Sequence, residues 1–311
     1  MCVIPSSIRN SALALLLCVG AFGQDVYRSN VNLVTVSFSV RDARGALVDD
    51  LGKDDFDVLE DAVAQKIAFF SRSSDVPLSL GIVVDASGSQ DHFSKQHKRD
   101  LEVFLRDVLG PKDRAFMVCF GNHLRLVSDF TPSGADILNG LERYNKGTGG
   151  FPELGPKESR ELGTAFYDSI FYSVEKLANE SGRRALLIFS DGEDNSSAHD
   201  MMSTIEAAQG ANVILFSIRY TENGANKLNA RNKYGISVMD RIAKETGGAV
   251  FDAREVDPHT YFQKIAEELR SSYDLAYYPS NRIKDDTFRK IVVKAKQEGL
   301  KVRAKTGYFS R

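Results

Sequence analysis

The sequence predicts an α/β protein: a doubly wound, mostly parallel sheet, with a small β domain formed by the N- and C-terminal segments. Three observations carry this. Between Pro77 and Ser272, apolar runs of strand length alternate with longer amphipathic stretches, the pattern of a parallel sheet with helices on both faces. Between Val31 and Arg72, apolar residues recur at every second position and turn residues separate the runs. From Tyr273 to the end the strand pattern returns.

At the N-terminus, Arg9 is the only charge before Asp25. "SALALLLCVGAFG" supplies an apolar core, and Ala21 and Gly23 put small residues at the −3 and −1 positions of a cut before Gln24. Residues 1–23 therefore read as a signal peptide, which makes the protein extracytoplasmic, periplasmic or secreted. The apolar run Ala12–Gly23 is short against the about 20 residues of a spanning helix. Leu17 is too large for a lipid-attachment site at Cys18. No later segment is long and apolar enough to cross a bilayer, so no transmembrane segment is expected after cleavage.

Residues 24–76 form the N-terminal β segment. In "VNLVTVSFSV", Val34, Val36, Phe38 and Val40 make an apolar face, while Asn32, Thr35, Ser37 and Ser39 supply most of the polar one. "DARG" reads as a turn, followed by strands in "DDFDVLEDAVAQKIAFFSR".

Residues 77–272 form the α/β domain. Its strands are "LSLGIVVD", "RAFMVCFG", "LRLVSDF", "RALLIFSD", "NVILFSIRY" and "GAVFDA". Helices are expected over Phe93–Leu109, Ser133–Tyr144, Gly163–Asn179, Ala198–Gln209, Val238–Thr246 and Pro258–Ser272. In the first, Phe93, His97, Leu101, Leu105 and Val108 recur at helical spacing, so one face is buried. "RAFMVCFGNHLRLVSDF" holds two strands separated by a short polar turn, so these form an antiparallel hairpin.

Residues 273–311 form the C-terminal β segment, with strands in "YDLAYYP", "FRKIVVKAK" and "LKVRAKTGYF". They cannot join a parallel sheet without crossovers. Each terminal segment is too small to be stable alone, so 273–311 is expected to pack with 24–76.

The chain has 311 residues, 42% hydrophobic and 26% charged, with net charge −2. A nucleic-acid partner is excluded by the lack of a basic excess. Of three cysteines, Cys2 and Cys18 fall in the signal, leaving Cys119 in "AFMVCF". An internal disulfide is then impossible, and Cys119 reads as a small buried hydrophobe.

In a doubly wound sheet, ligands bind beyond the C-terminal strand ends, where strand order reverses. Three polar clusters fall at or near such ends: Asp85, Ser87 and Ser89 after the first α/β strand, Thr164 where a loop enters a helix, and Asp191 in "LLIFSDGEDNSS". None contains His or a usable Cys. An all-oxygen set with few charges suits a hard cation, Mg2+ first, with Mn2+ and Ca2+ as alternatives, and disfavours zinc. Neutral hydroxyls leave the cation net positive and still seeking an anionic ligand. Taken singly, Asp85 and Ser87 also fit a helix N-cap turn, and Asp191 a turn-forming Asp-Gly. Those readings leave the threefold coincidence unexplained.

Residues 77–272 resemble the von Willebrand factor type A (VWA) domain, itself a Rossmann-like fold. Asp85, Ser87 and Ser89 match its D-x-S-x-S motif, Thr164 its lone threonine, and Asp191 its aspartate before glycine. The resemblance implies a metal-ion-dependent adhesion site. In it, Ser87, Ser89 and Thr164 coordinate metal directly or through water, and the aspartates act mainly from the outer sphere. "DFDVLED", Gln65, "YDLAYYP" and "VRAKTGYF" extend the resemblance to a bacterial group of exported VWA-related proteins. Gln90 stands where the family often has Met, and Ala62-Val63 where the bacterial group often has Gly and a polar residue.

The expected function is adhesion-type protein binding, with a partner supplying Glu or Asp to the bound metal and no catalysis. A metal-dependent hydrolase is one alternative. Against it, "DASGS" has Asp85 and Ser89 where a nucleophile elbow needs glycines, no phosphate-binding Gly-rich loop occurs, and only His92 and His199 lie near the site loops. A structural component of an envelope assembly is another. Two longer loops stand out in the sequence. Asn145–Leu162 runs into Thr164 and is expected to rim the metal, with Phe151 and Pro152 as contact residues. Thr221–Ser237 is expected to be a polar excursion.

Overall fold

Val34, Val36, Phe38 and Val40 lie on one side of strand β1 (Val34–Arg41), and all four are buried. A computed structural model describes residues 33–72, 76–155, 163–221, 228–254 and 257–311; residues 1–23, expected to be a signal peptide, lie outside these. A 3-10 turn at Lys53–Asp55 leads into β2 (Phe56–Glu60), followed by β3 (Val63–Gln65) and β4 (Ile67–Arg72).

The α/β part opens with β5 (Leu78–Asp85), whose eight residues are all buried. It continues through α1 (Ser94–Val108), β6 (Arg114–Phe120), β7 (Arg125–Thr131), α2 (Gly134–Asn145), α3 (Phe166–Ala178) and β8 (Arg183–Ser190). Then come α4 (Met201–Gly210), β9 (Val213–Arg219), α5 (Ala230–Thr246), β10 (Val250–Asp252) and α6 (Pro258–Arg270). The chain ends with β11 (Tyr273–Tyr277), β12 (Phe288–Ala295), β13 (Lys301–Ala304) and β14 (Gly307–Phe309).

Six strands form the central sheet in the order β10-β9-β8-β5-β6-β7. Every pairing is parallel except the β6–β7 hairpin. Side chains alternate across β5. Leu80, Ile82 and Val84 face a core with Leu101 and Phe104 of α1, Ile137 of α2 and Phe262 of α6. Val83 faces the opposite core, with Ile170 of α3, Ile205 of α4 and Ile242 of α5. Gly81 sits on this second side because a Cβ there would lie 2.4 Å from Leu186 and 2.8 Å from Phe116. After β5 the chain goes to α1 on one face, and after β8 to α4 on the other. The β5–β8 boundary is therefore the point where strand order reverses, and a crevice opens beyond its C-terminal ends.

Two antiparallel four-stranded sheets, β13-β1-β11-β4 and β14-β12-β2-β3, complete the fold. They share a core that includes Val36, Phe38, Phe56, Val58, Tyr273, Leu275 and Ile291. Phe38 meets Phe56 edge-on at 5.0 Å between ring centres. Two residues of the expected polar face of β1, Ser37 and Ser39, are also buried. Ser39 donates to Glu268 of α6 at 2.9 Å, and Ser37 bonds Asp274 and accepts from Asn212 at 2.8 Å. Arg183, at the start of β8, donates to the carbonyl of Leu269 (2.6 Å) and to Asp274 (2.7 Å). The bonds of Ser39 to Glu268, Asn212 to Ser37 and Arg183 to Asp274 cross from the β sheets to the α/β part, and Asn32–Arg311 forms one compact unit.

Helix starts depart from the periodicity for local reasons. α3 begins at Phe166 rather than Gly163 because Thr164 is clasped by the neighbouring loop: its carbonyl accepts from Asn195 N (3.0 Å) and Ser196 N (3.3 Å). α4 begins at Met201 rather than Ala198 because Asp168 takes the amides of Ala198 and His199, and Asp200 caps the helix through Ser203 N. α5 begins eight residues before Val238. Asn229 caps it by accepting from Asn232 N at 2.7 Å. Its first turns, 230–237, fall within the stretch read as a polar excursion; 222–227 lie outside the described residues.

Candidate metal centre

Asp85 closes β5, and the amide of Ala86 still bonds Phe120 O at 2.7 Å, so the carboxylate is held at a fixed strand end. Asp85 Oδ1 accepts from the amide of Ser87 (2.9 Å). That tight turn folds the chain back, and Gln90 N bonds Ser87 O at 2.8 Å within the 3-10 turn Gly88–Phe93. Residues 87 and 89 then project together, with their hydroxyls 3.2 Å apart. The alternation of side chains thus has a geometric reason in the turn rather than in a continued strand.

Asp191 follows β8 directly. Ser89 donates to Asp191 Oδ2 at 3.0 Å, and Gln90 Nε2 donates to the same oxygen at 3.0 Å. Asp191 Oδ1 accepts from the amide of Glu193 at 3.1 Å. Ser190 donates to Asp85 Oδ2 at 2.6 Å and accepts from Gly192 N at 3.0 Å. Two carboxylates are thus joined through hydroxyls, across the strand-order reversal. Gly192 turns the chain with φ +79°, and α5 is seated against this turn through Gly235, where a Cβ would lie 2.3 Å from Asp191 O.

Asp85 and Asp191 are 1% and 4% exposed. Burial, then the charge of Asp191, push the Asp85 carboxyl up to about 7, against the bonds from Ser190 and Ser87. Among the described residues no Lys or Arg pairs with either aspartate. The neighbouring Glu193 is raised by burial and by Asp191, although Arg231 pairs with it at 2.6 Å. Buried charge of one sign without a counter-charge is costly, and the oxygen donors present have the chemistry that would suit a hard cation. Zinc is a poor match, since no His or Cys belongs to the set.

Asp85, Ser87, Ser89 and Asp191 form one hydrogen-bonded group. Thr164 is joined to it differently. Its amide donates to Asn195 Oδ1 at 2.5 Å, in the loop that follows Asp191. Among the described residues its hydroxyl bonds none of the other four. Gly163 permits the clasp: a Cβ there would meet Asn195 Oδ1 at 2.5 Å.

Sequence reasoning singled out neither Ser190 nor Asn195 nor Gly235, and noted Gln90 only as a departure. The one available signal was position, since Ser190 ends an apolar strand immediately before Asp191. Phe151, expected as a contact residue, is half-buried, its ring tilted against Tyr144 (6.0 Å) and under Arg143 (5.4 Å). The backbone of residues 152–154 lies along β7, with Leu126 N to Pro152 O and Leu154 N to Leu124 O both at 2.9 Å. Residues 156–162 lie outside the described residues.

The two histidines near the site loops are held locally. The His92 ring lies tilted against Phe93, with centres 4.3 Å apart. His199 Nδ1 bonds Asp168 at 2.8 Å and its ring stacks on Phe171 at 3.6 Å; no described hydroxyl is bonded to its Nε2. Cys119 is fully buried, its thiol pushed up by burial and by Asp85.

No protein-family model matches the sequence, and no curated protein does. Among solved structures, an aerotolerance-related membrane protein from Bacteroides fragilis is similar at 16% identity and TM-score 0.43, over 62% of this chain and 98% of that one. BatB, a conserved hypothetical protein from Bacteroides thetaiotaomicron, gives 16% identity and TM-score 0.43, over 62% of this chain and 97% of that one. The SpRpn10 VWA domain gives 10% identity and TM-score 0.38, over 58% of this chain and 92% of that one. At these identities the likeness concerns the fold only.

Proposed function

We propose that the protein is an exported binding module that holds a divalent cation through Asp85, Ser87, Ser89, Thr164 and Asp191 and captures a Glu or Asp side chain of a protein partner. Mg2+ is the favoured ion, with Mn2+ or Ca2+ as alternatives. One observation carries the reading: two buried carboxylates, linked through serine hydroxyls at the strand-order reversal, have no cationic side chain paired with them among the described residues.

When bound, the cation supplies an electrophilic centre for an incoming carboxylate. The chain's own residues set its character. Ser87 and Ser89 present neutral oxygens, so little of the ion's charge is neutralised at short range. Asp85 and Asp191 supply the attractive field, restrained by Ser190, Gln90 and backbone amides. The Asp191 loop carries Thr164 alongside through Asn195. No helix among the described residues is long and apolar enough to cross a membrane.

The test is a pull-down from the native envelope with Mg2+ and with EDTA, using Asp85→Ala as control. The reading expects partners retained only by the wild type with Mg2+. Retention indifferent to both EDTA and the substitution would overturn it.

A further inference from the structure

We propose that Gln90 is a positioning residue of this metal centre: its side-chain amide fixes the Asp191 carboxylate. The inference rests on the metal reading above and assigns a role to a residue outside the five-residue set.

Gln90 is 2% exposed. Its Nε2 donates to Asp191 Oδ2 at 3.0 Å and, more weakly, to Tyr220 O at 3.4 Å. The amide orientation follows from the chemistry, since the reverse would set Oε1 against a carboxylate oxygen. Ser89 donates to the same Oδ2, and the Glu193 amide to Oδ1. Asp191 is therefore held at both oxygens, and among the described residues Gln90 supplies the one side-chain restraint that does not come from a proposed ligand.

The other end of Gln90 makes the case sharper. Its Oε1 is buried without a hydrogen-bond partner among the described residues. It borders a cavity of about 50 Å³, also lined by Asp85, His97 and Cys119. His97 Nε2, on a ring 2% exposed, is likewise without a partner. A half-satisfied buried amide is a poor choice for packing alone, because an apolar side chain of the same length fills the space without losing hydration. The position is explained by the bond to Asp191. Oriented outer carboxylates tune a metal site, and removing such partners typically weakens metal binding about 10–100-fold.

The experiment uses the full chain, with Mg2+ as the probe. Titration calorimetry and metal-free melting temperature are measured for the wild type and Gln90→Met, and the Gln90 side-chain amide resonances are followed during Mg2+ titration of the wild type. These resonances are identified by their loss in Gln90→Met. Expected are Mg2+ affinity about tenfold or more weaker in the variant, an unchanged metal-free melting temperature, and amide resonances that move with Mg2+ occupancy. Equal Mg2+ affinity in variant and wild type overturns the role while leaving the metal reading standing. If the variant melts early, the wild-type resonances decide, and their failure to move overturns the role. A wild type that binds none of Mg2+, Mn2+ and Ca2+ removes both.

Discussion

Ser190 Oγ lies 2.6 Å from Asp85 Oδ2, so the last residue of β8 holds the last residue of β5. The same hydroxyl accepts from Gly192 N at 3.0 Å, tying the Asp191 turn to the contact. Ser190 is fully buried. Ser190→Ala leaves a buried carboxylate oxygen and a buried amide each short of a partner. The expected loss is about 2–4 kcal/mol, read from denaturant midpoints in EDTA. A loss below about 0.5 kcal/mol, the size of a neutral surface change, would mean that this bond does not hold the two strand ends.

A cation that binds only the folded chain stabilises it by mass action. At a Mg2+ concentration about 100 times Kd the gain is about 2.7 kcal/mol. Differential scanning calorimetry with Mg2+ and with EDTA measures it. Asp85→Ala is expected to abolish the gain, because it removes a carboxylate that is 1% exposed at the centre of the group. An identical Mg2+ shift in that variant would place the ion elsewhere.

Gly235 sits on α5, where alanine would ordinarily be the better helix former by about 1 kcal/mol. Here the added Cβ would meet Asp191 O at 2.3 Å, a backbone atom with little room to move. Gly235→Ala is expected to destabilise the fold by about 1–3 kcal/mol through overpacking and to weaken Mg2+ binding by shifting the Asp191 turn. Urea midpoints and calorimetric titration read the two effects. A midpoint that rises would show that α5 is free to slide away from the turn.

The central sheet was legible because β5 and β8 are apolar nearly throughout, and the β6–β7 hairpin because its strands are too close for a crossover. Four members of the candidate site stood out as polar residues where apolar strands end. What escaped depended on tertiary contact. Ser37 and Ser39 read as part of a polar face but are buried against Asp274 and Glu268, more than two hundred residues away in sequence. The first turns of α5 carry a polar sequence, and their close backbone approach to the Asp191 turn is made by Gly235, a residue with no side chain to give periodicity. Ser190 was hidden because one hydroxyl at the end of an apolar run carries no pattern of its own.

Lys305 is 6% exposed, and its Nζ donates to Gln209 O at 2.8 Å. Burial, then the charge of Arg184, lower its ammonium from 10.5 to about 7. Below about pH 7 both folded and unfolded chains carry the proton, and the folded state bears the full penalty of a buried charge. Between about pH 7 and 10.5 the unfolded chain holds more protons, so this contribution to stability rises with pH. Lys305→Met removes the penalty, at most about 5 kcal/mol for a drop from 10.5 to about 7, and gives up one hydrogen bond to a backbone carbonyl worth about 1 kcal/mol. The variant is therefore expected to be more stable than wild type at pH 6 by up to about 4 kcal/mol. The advantage should shrink steadily toward pH 10. Denaturant midpoints of both proteins across that range test it, and a stability difference that does not change with pH would mean that Lys305 keeps its ordinary affinity for the proton in the fold.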